Sequence, residues 1–199
     1  MKIAEIELRK IANTLVYFAN STKDFGLTKA NKLLYYLDCF HLLRHGRVVL
    51  RDKYFKNQLG PVPQETSNRL EGIRELNSLP EKDRQELKER EFMFEYLDIV
   101  SEPSAYYTLD RIVPHKDFEP KWFSKSEIEI MKELSEKYRN TTATELVRQT
   151  HKESPFLRAE MYDFIDLKLF LKDHNASQEY IEEVARTERL IDAIAANYQ

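Results

Sequence analysis

Apolar residues recur three or four positions apart through most of this chain, and that spacing predicts helices rather than sheet. Ile3, Ile6, Ile11, Leu15, Phe18 and Ala19 form the first such stripe, over residues 3–20. The turn Asn20-Ser21-Thr22-Lys23-Asp24 ends it. Thr28 is expected to cap a second helix reaching about His45, with Leu33, Leu34, Leu37, Phe40 and Leu43 for burial. Gly46 follows directly, where glycine takes the left-handed backbone that closes a helix. A third helix fits about Pro63 to Asn77. The charged run Glu81 to Glu91 reads as a solvated helix or a mobile insertion.

Later helices announce their starts. Ser124 with Glu127, and Thr142 with Glu145, fit the capping box, in which two side chains satisfy free amides of a first turn. Ser154-Pro155 is another start signal. Residues 177–197 form a long amphipathic helix through Ile181, Val184, Ile191 and Ile194.

Sheet has less room. Residues 47–59 are mixed strand and loop, punctuated by Gly60-Pro61-Val62-Pro63. Residues 92–100 and 105–113, rich in aromatic and branched side chains with Pro103 between them, predict an antiparallel strand pair. The expected class is mainly α (α+β): a compact helical domain with a small antiparallel β-hairpin and a long C-terminal helix. Residues 1–175 would be the domain, and 176–199 a helix packed on it or on a partner.

A chain of 199 residues buries a core without disulfides or metals. Cys39 is its one cysteine, which agrees with a reducing compartment. The opening MKIAEIELRK lacks a signal-peptide core, and no apolar stretch approaches the ~18 residues that span a bilayer. A cytoplasmic protein with no membrane contact is expected. Its net charge of −3 conceals a basic start, because residues 1–60 carry 11 Lys/Arg against 5 Asp/Glu. Such a surface can meet phosphate, with Lys29, Lys32, Arg44, Arg47 and Arg51 as contacts and Tyr35 and Tyr36 to stack on bases, or it can simply solvate helices.

No catalytic constellation stands out. His41 and His45 lie four apart on one helix face, but zinc needs three or four ligands and Leu42 follows His41 where a zincin has Glu. Cys39 lies mid-helix, and His41, two positions on, points away from it. Gly26, Gly46, Gly60 and Gly72 are isolated, so no phosphate-cradling loop can be assembled. The sequence predicts a non-enzyme with no metal and no cofactor.

Two stretches carry more. Leu27 to Pro63 contains Leu27-Thr28, Lys32 to Tyr36 (KLLYY), Phe40-His41, Gly46 and Gly60-Pro61-Val62. Phe123 to Phe156 contains Phe123-Ser124, Ala143 with Leu146, Thr150-His151 and Pro155-Phe156. This pattern resembles the Panacea domain, the SocA-like antitoxin domain of bacterial and phage-associated proteins. Phe156 stands where that family shows Trp, and Lys56-Asn57 where it often shows Ala-Trp. The resemblance implies a helix-rich antitoxin that neutralises a toxin by direct protein contact. It also implies motif or partner-binding roles for Lys32, Tyr35, Tyr36, His41, Gly60, Pro61, Val62, His151 and Pro155. A pocket uniting Lys32, Tyr36, His41, Gly60 and His151 is the sharpest expectation. The expected partner is a cognate toxin encoded by the adjacent gene. A homodimer and weak DNA binding through residues 1–60 stay open, and a DNA-binding regulator from a mobile element is the alternative function.

Overall fold

A computed structural model describes residues 3–77, 79–80, 92–103 and 108–196. The elements run α1 (Ile3–Ser21), α2 (Leu27–His45), β1 (Tyr54–Asn57), β2 (Gly60–Pro63) and α3 (Gln64–Leu76). Then come β3 (Leu97–Pro103), β4 (Thr108–Pro114), α4 (Lys125–Tyr138), α5 (Ala143–Thr150), α6 (Ser154–Arg158), α7 (Lys168–Asp173) and α8 (Gln178–Ala196). The protein is mainly helical with small β-hairpins.

The centre is α2, buried on nearly every side, with Leu33, Leu34, Tyr35, Leu37 and Cys39 all closed to water. Helices α1, α4, α5 and α7 and strand β2 surround it. A helix in that position cannot be amphipathic, so its polar side chains must find partners inside. Lys29 donates to Lys23 O at 2.7 Å. Asp38 accepts from the amides of Val49 and Leu50 and from the Tyr54 hydroxyl, at 2.6, 2.9 and 2.8 Å. Those three bonds tie the loop after α2 back onto the helix and fix where β1 begins.

Two antiparallel hairpins flank this centre. In β1–β2, Tyr54 opposes Pro63 and Asn57 opposes Gly60. In β3–β4, Leu97 opposes Pro114 and Pro103 opposes Thr108. Ile99 and Ile112 face each other on the buried side, while Val100 points outward.

Boundaries follow local chemistry. Gly46 closes α2 at φ 68°, its amide bonding Leu42 O. Ser124–Glu127 and Thr142–Glu145 both form complete capping boxes. Thr28 does not cap α2: the helix starts one residue earlier, with Gly26 at the cap, leaving Thr28 inside the first turn. Residues Phe92–Glu95, expected in a strand, form a 3-10 turn. Met93 and Phe94 are both buried there, which a strand pointing neighbours to opposite faces would not allow. The strand begins only at Leu97, and the charged run 81–91 lies outside the described residues.

Helix α8 is held by its first half. Ile181 and Val184 pack on Leu42 and Leu171, and the Tyr180 hydroxyl donates to Leu42 O at 3.1 Å. Further along, Leu190 and Ile194 are exposed. Among the described residues no helix is long and apolar enough to cross a membrane.

Candidate functional site

Two turns of α2, the turn into β2 and the end of α5 meet around a buried amine. Lys32 is fully closed to water, and its Nζ donates to Pro61 O at 2.8 Å. Burial pushes the ammonium down to about 7, because a charge with no counter-ion nearby is better neutral there. Gly60 leaves it space. A Cβ at Gly60 would stand 2.6 Å from Lys32 Cε and 2.8 Å from Thr150 Oγ1, and Gly60 has φ 98°. Pro61 and Val62 are buried beside it.

His151 adjoins the same charge. Its pKa is lowered by burial, then by the cations Lys32 and Lys56. Its ring stacks on Phe156 with centroids 4.2 Å apart, and the Lys56 ammonium lies 4.5 Å from the Phe156 centroid. The Nε2 atom of His151 is buried without a hydrogen-bond partner. Pro155, buried, opens α6 and turns Phe156 inward.

One turn along α2, Tyr35 and Tyr36 donate to the two oxygens of Glu153, at 2.9 and 2.8 Å. Burial raises the Glu153 carboxyl to about 7 against the lowering effect of both hydroxyls. The helix-start segment 150–156 is thus pinned to α2 at Tyr35 and Tyr36. Glu153 was not among the residues expected from sequence, because a lone acid before Ser-Pro gives no signal of its buried partners.

His41 stands apart from this cluster. Its Nδ1 meets Arg47 O at 2.7 Å and its Nε2 meets Ser126 Oγ at 3.1 Å. Beside it, Glu127 accepts from Lys10 and from Arg47, each at 2.8 Å. Burial works to raise the Glu127 pKa, but Lys10, the Ser124 amide and Arg47 outweigh it and hold the carboxyl below its ordinary value. So Lys32, Gly60, Pro61, Thr150 and His151 come together, Tyr35 and Tyr36 join through Glu153, and His41 serves a second junction, between α2 and α4.

The expected phosphate contacts fare differently. Lys29, Lys32, Tyr35 and Tyr36 are all buried, which leaves none of them on the surface where a phosphate or a base would meet the protein. Arg44 is paired with Glu133, Arg47 with Glu127 and Arg51 with Glu7. Cys39 is buried, and its thiol is pushed well up by burial, which makes it a poor nucleophile.

Four exposed apolar side chains lie close together in sequence elsewhere. Leu157, Met161, Tyr162 and Phe164 are 62, 48, 66 and 51% exposed. Leu157 lies in the last turn of α6 and the other three on the segment after it, which runs beside β1: the Tyr162 amide donates to Lys56 O at 2.9 Å and the Ile165 amide to Tyr54 O at 2.8 Å. Tyr162 is held at φ 67°, a conformation costly for a side chain of its size. Strain of this kind persists where surrounding bonds impose it, and it concentrates at working surfaces.

The family model for antitoxin SocA-like, Panacea domain, matches residues 31–156. The chain belongs to this family. The match begins at the residue before Lys32 and ends on Phe156, so it encloses the Lys32–Gly60–His151 cluster and the Glu153 anchor. The exposed residues from Leu157 to Phe164 follow immediately after the matched part of this Panacea-domain protein. Comparison with curated proteins and with solved structures gave no match.

Proposed function

We propose that this protein is an antitoxin that neutralises a cognate toxin by direct contact in the cytoplasm. The observation that carries the reading is the Panacea-domain match over residues 31–156. Residues 1–175 serve as the antitoxin domain, and the helix from 176 to 199 packs on it or on the toxin. The action is occlusion rather than catalysis.

The contact surface in this reading is the patch of Leu157, Met161, Tyr162 and Phe164. Four exposed large apolar side chains within one short stretch of chain are costly in water unless something covers them. Tyrosine and other aromatics supply most of the energy in protein interfaces when set among polar neighbours. Here Lys53 lies 5.7 Å from the Phe164 ring, and Arg158, Glu160 and Asp163 interleave with the apolar residues. The Lys32–Gly60–His151 cluster and the Glu153 anchor fix the α5–α6 corner from which that segment leaves. In this account the motif residues position the surface and the exposed segment binds.

The test is co-expression with the protein encoded by the adjacent gene, followed by affinity capture. The toxin should come down in a stable complex, and cells should survive its expression only when this protein is present. An adjacent product that is harmless and does not bind would remove the reading.

A further inference from the structure

A serine and a histidine meet at the start of α4. Ser126 Oγ stands 3.1 Å from His41 Nε2, and His41 Nδ1 lies 2.7 Å from Arg47 O. A carbonyl oxygen only accepts, so Nδ1 carries the ring proton. Burial lowers the His41 pKa, which leaves the ring neutral near neutrality and Nε2 a bare acceptor. The Ser126 hydroxyl therefore donates to it. Ser124 Oγ lies 3.0 Å from Ser126 Oγ. With the Ser126 proton already given to His41, Ser124 is the donor in that contact, and its oxygen accepts in turn from the Glu127 amide and from Arg47 Nη2.

The protons of this chain run in one direction, and it is the direction of an activated nucleophile. A neutral imidazole holds its free lone pair on a serine hydroxyl, and a backbone acceptor orients the ring where a catalytic triad has a carboxylate. Ser124 and Lys125 are exposed and Ser126 is half-buried, so the pair lies at the surface. The amides of Lys125 and Ser126 open α4, and among the described residues neither meets an acceptor. Free donors beside a nucleophile suit the oxygen that gains charge when a carbonyl is attacked. We propose that Ser126 and His41 form a nucleophile–base pair that cleaves small activated carboxylic esters. Ser126 Oγ bonds to the acyl carbon as its proton passes to His41 Nε2. The ester C–O bond breaks, and the leaving alcohol takes that proton. Water, deprotonated by His41, then attacks the acyl carbon, releases the acid and restores the serine. The activity does not depend on the antitoxin reading, since neither residue lies in the segment from Leu157 to Phe164.

The test treats the full chain with an alkyl fluorophosphonate, which phosphonylates base-assisted serines and expels fluoride, and separately with p-nitrophenyl acetate. Peptide mass mapping should place the phosphonyl group on Ser126, and labelled protein should no longer release nitrophenol from the ester. Ser126→Ala should lose both signals. His41→Gln, whose amide still donates towards Arg47 O, should slow labelling of Ser126 by about 100-fold, with a melt to show that it is folded. If it is not folded, Ser126→Ala decides alone, because it removes only a half-buried hydroxyl. No label on Ser126, label spread over several residues, nitrophenol release unchanged in Ser126→Ala, or an undiminished labelling rate in folded His41→Gln would each overturn the proposal.

Discussion

Gly60 and Lys32 fit against each other with no room for one more carbon: a Cβ on Gly60 would lie 2.6 Å from Lys32 Cε. Gly60 also holds φ 98°, which other residues adopt only at a cost. Gly60→Ala should therefore destabilise the fold by about 1–3 kcal/mol, and the branched Gly60→Val by more. Urea denaturation of both variants measures this. A midpoint unchanged in Gly60→Ala would mean that Lys32 moves aside freely.

Lys32 also makes stability depend on pH above neutrality. Its pKa is lowered from 10.5 to about 7, so between those values the unfolded chain binds the proton and the folded protein does not. Stability should rise as pH climbs through that window. Asp38 and Glu153 act below it with the opposite sign. Burial raises them to about 6 and about 7, so the folded form keeps their protons and stability falls as pH approaches neutrality. The melting temperature should pass through a shallow minimum near pH 7 and climb on the alkaline side. Lys32→Met, which keeps the bulk and drops the charge, should flatten the alkaline climb, and a climb of equal size in that variant would contradict the assignment.

Glu127 joins α1, the loop after α2 and α4 through Lys10 and Arg47. Its carboxyl is held low, so its contribution is present above the unfolded value and is lost as pH falls through the folded one. Arg47 is 42% exposed, which weakens its share through solvent screening. Glu127→Gln should cost roughly 1–3 kcal/mol at neutral pH. Below about pH 4 the difference from the parent should shrink, because protonation removes the same charge. Thermal melts at both pH values check this.

The C-terminal helix should divide into two parts by truncation. Ending the chain after Asn175 uncovers Leu42 and Leu171 and removes the Tyr180 bond to Leu42 O. Losing Ile181 and Val184 from that contact should cost about 1.5–3 kcal/mol each. Ending it after Arg186 leaves those contacts whole and removes the exposed Leu190 and Ile194. The shorter chain should melt several degrees lower, and the longer one should match the full protein. Equal melting of all three would show that α8 contributes nothing to the domain.

Local signals carried much of this fold. Both capping boxes, the left-handed Gly46 and the helix after Pro63 were legible because each rests on neighbours within one turn of chain. The β1–β2 hairpin was not, since two four-residue strands, one of them Gly-Pro-Val-Pro, show no alternation. Phe92–Glu95 read as strand from its aromatic content, and tertiary burial decided otherwise. For the site, the motif named Lys32, Gly60 and His151, and they do meet. His41, equally prominent in the motif, lies at another junction, and spacing along one helix could not reveal that. Glu153 and the patch from Leu157 to Phe164 carry no sequence signature, because pairing with Tyr35 and exposure to water are both products of the assembled fold.

The surface from Leu157 to Phe164 is the proposed toxin contact. The direct measurement is survival of cells expressing the adjacent gene's product together with the double variant Tyr162→Ser, Phe164→Ser, beside a melt of the purified variant. Both side chains are more than half exposed, so the fold should keep its melting temperature within a degree or two. Protection should be lost while the parent protein still rescues growth. Full protection by a stably folded double variant would contradict the account and place the contact elsewhere on the molecule.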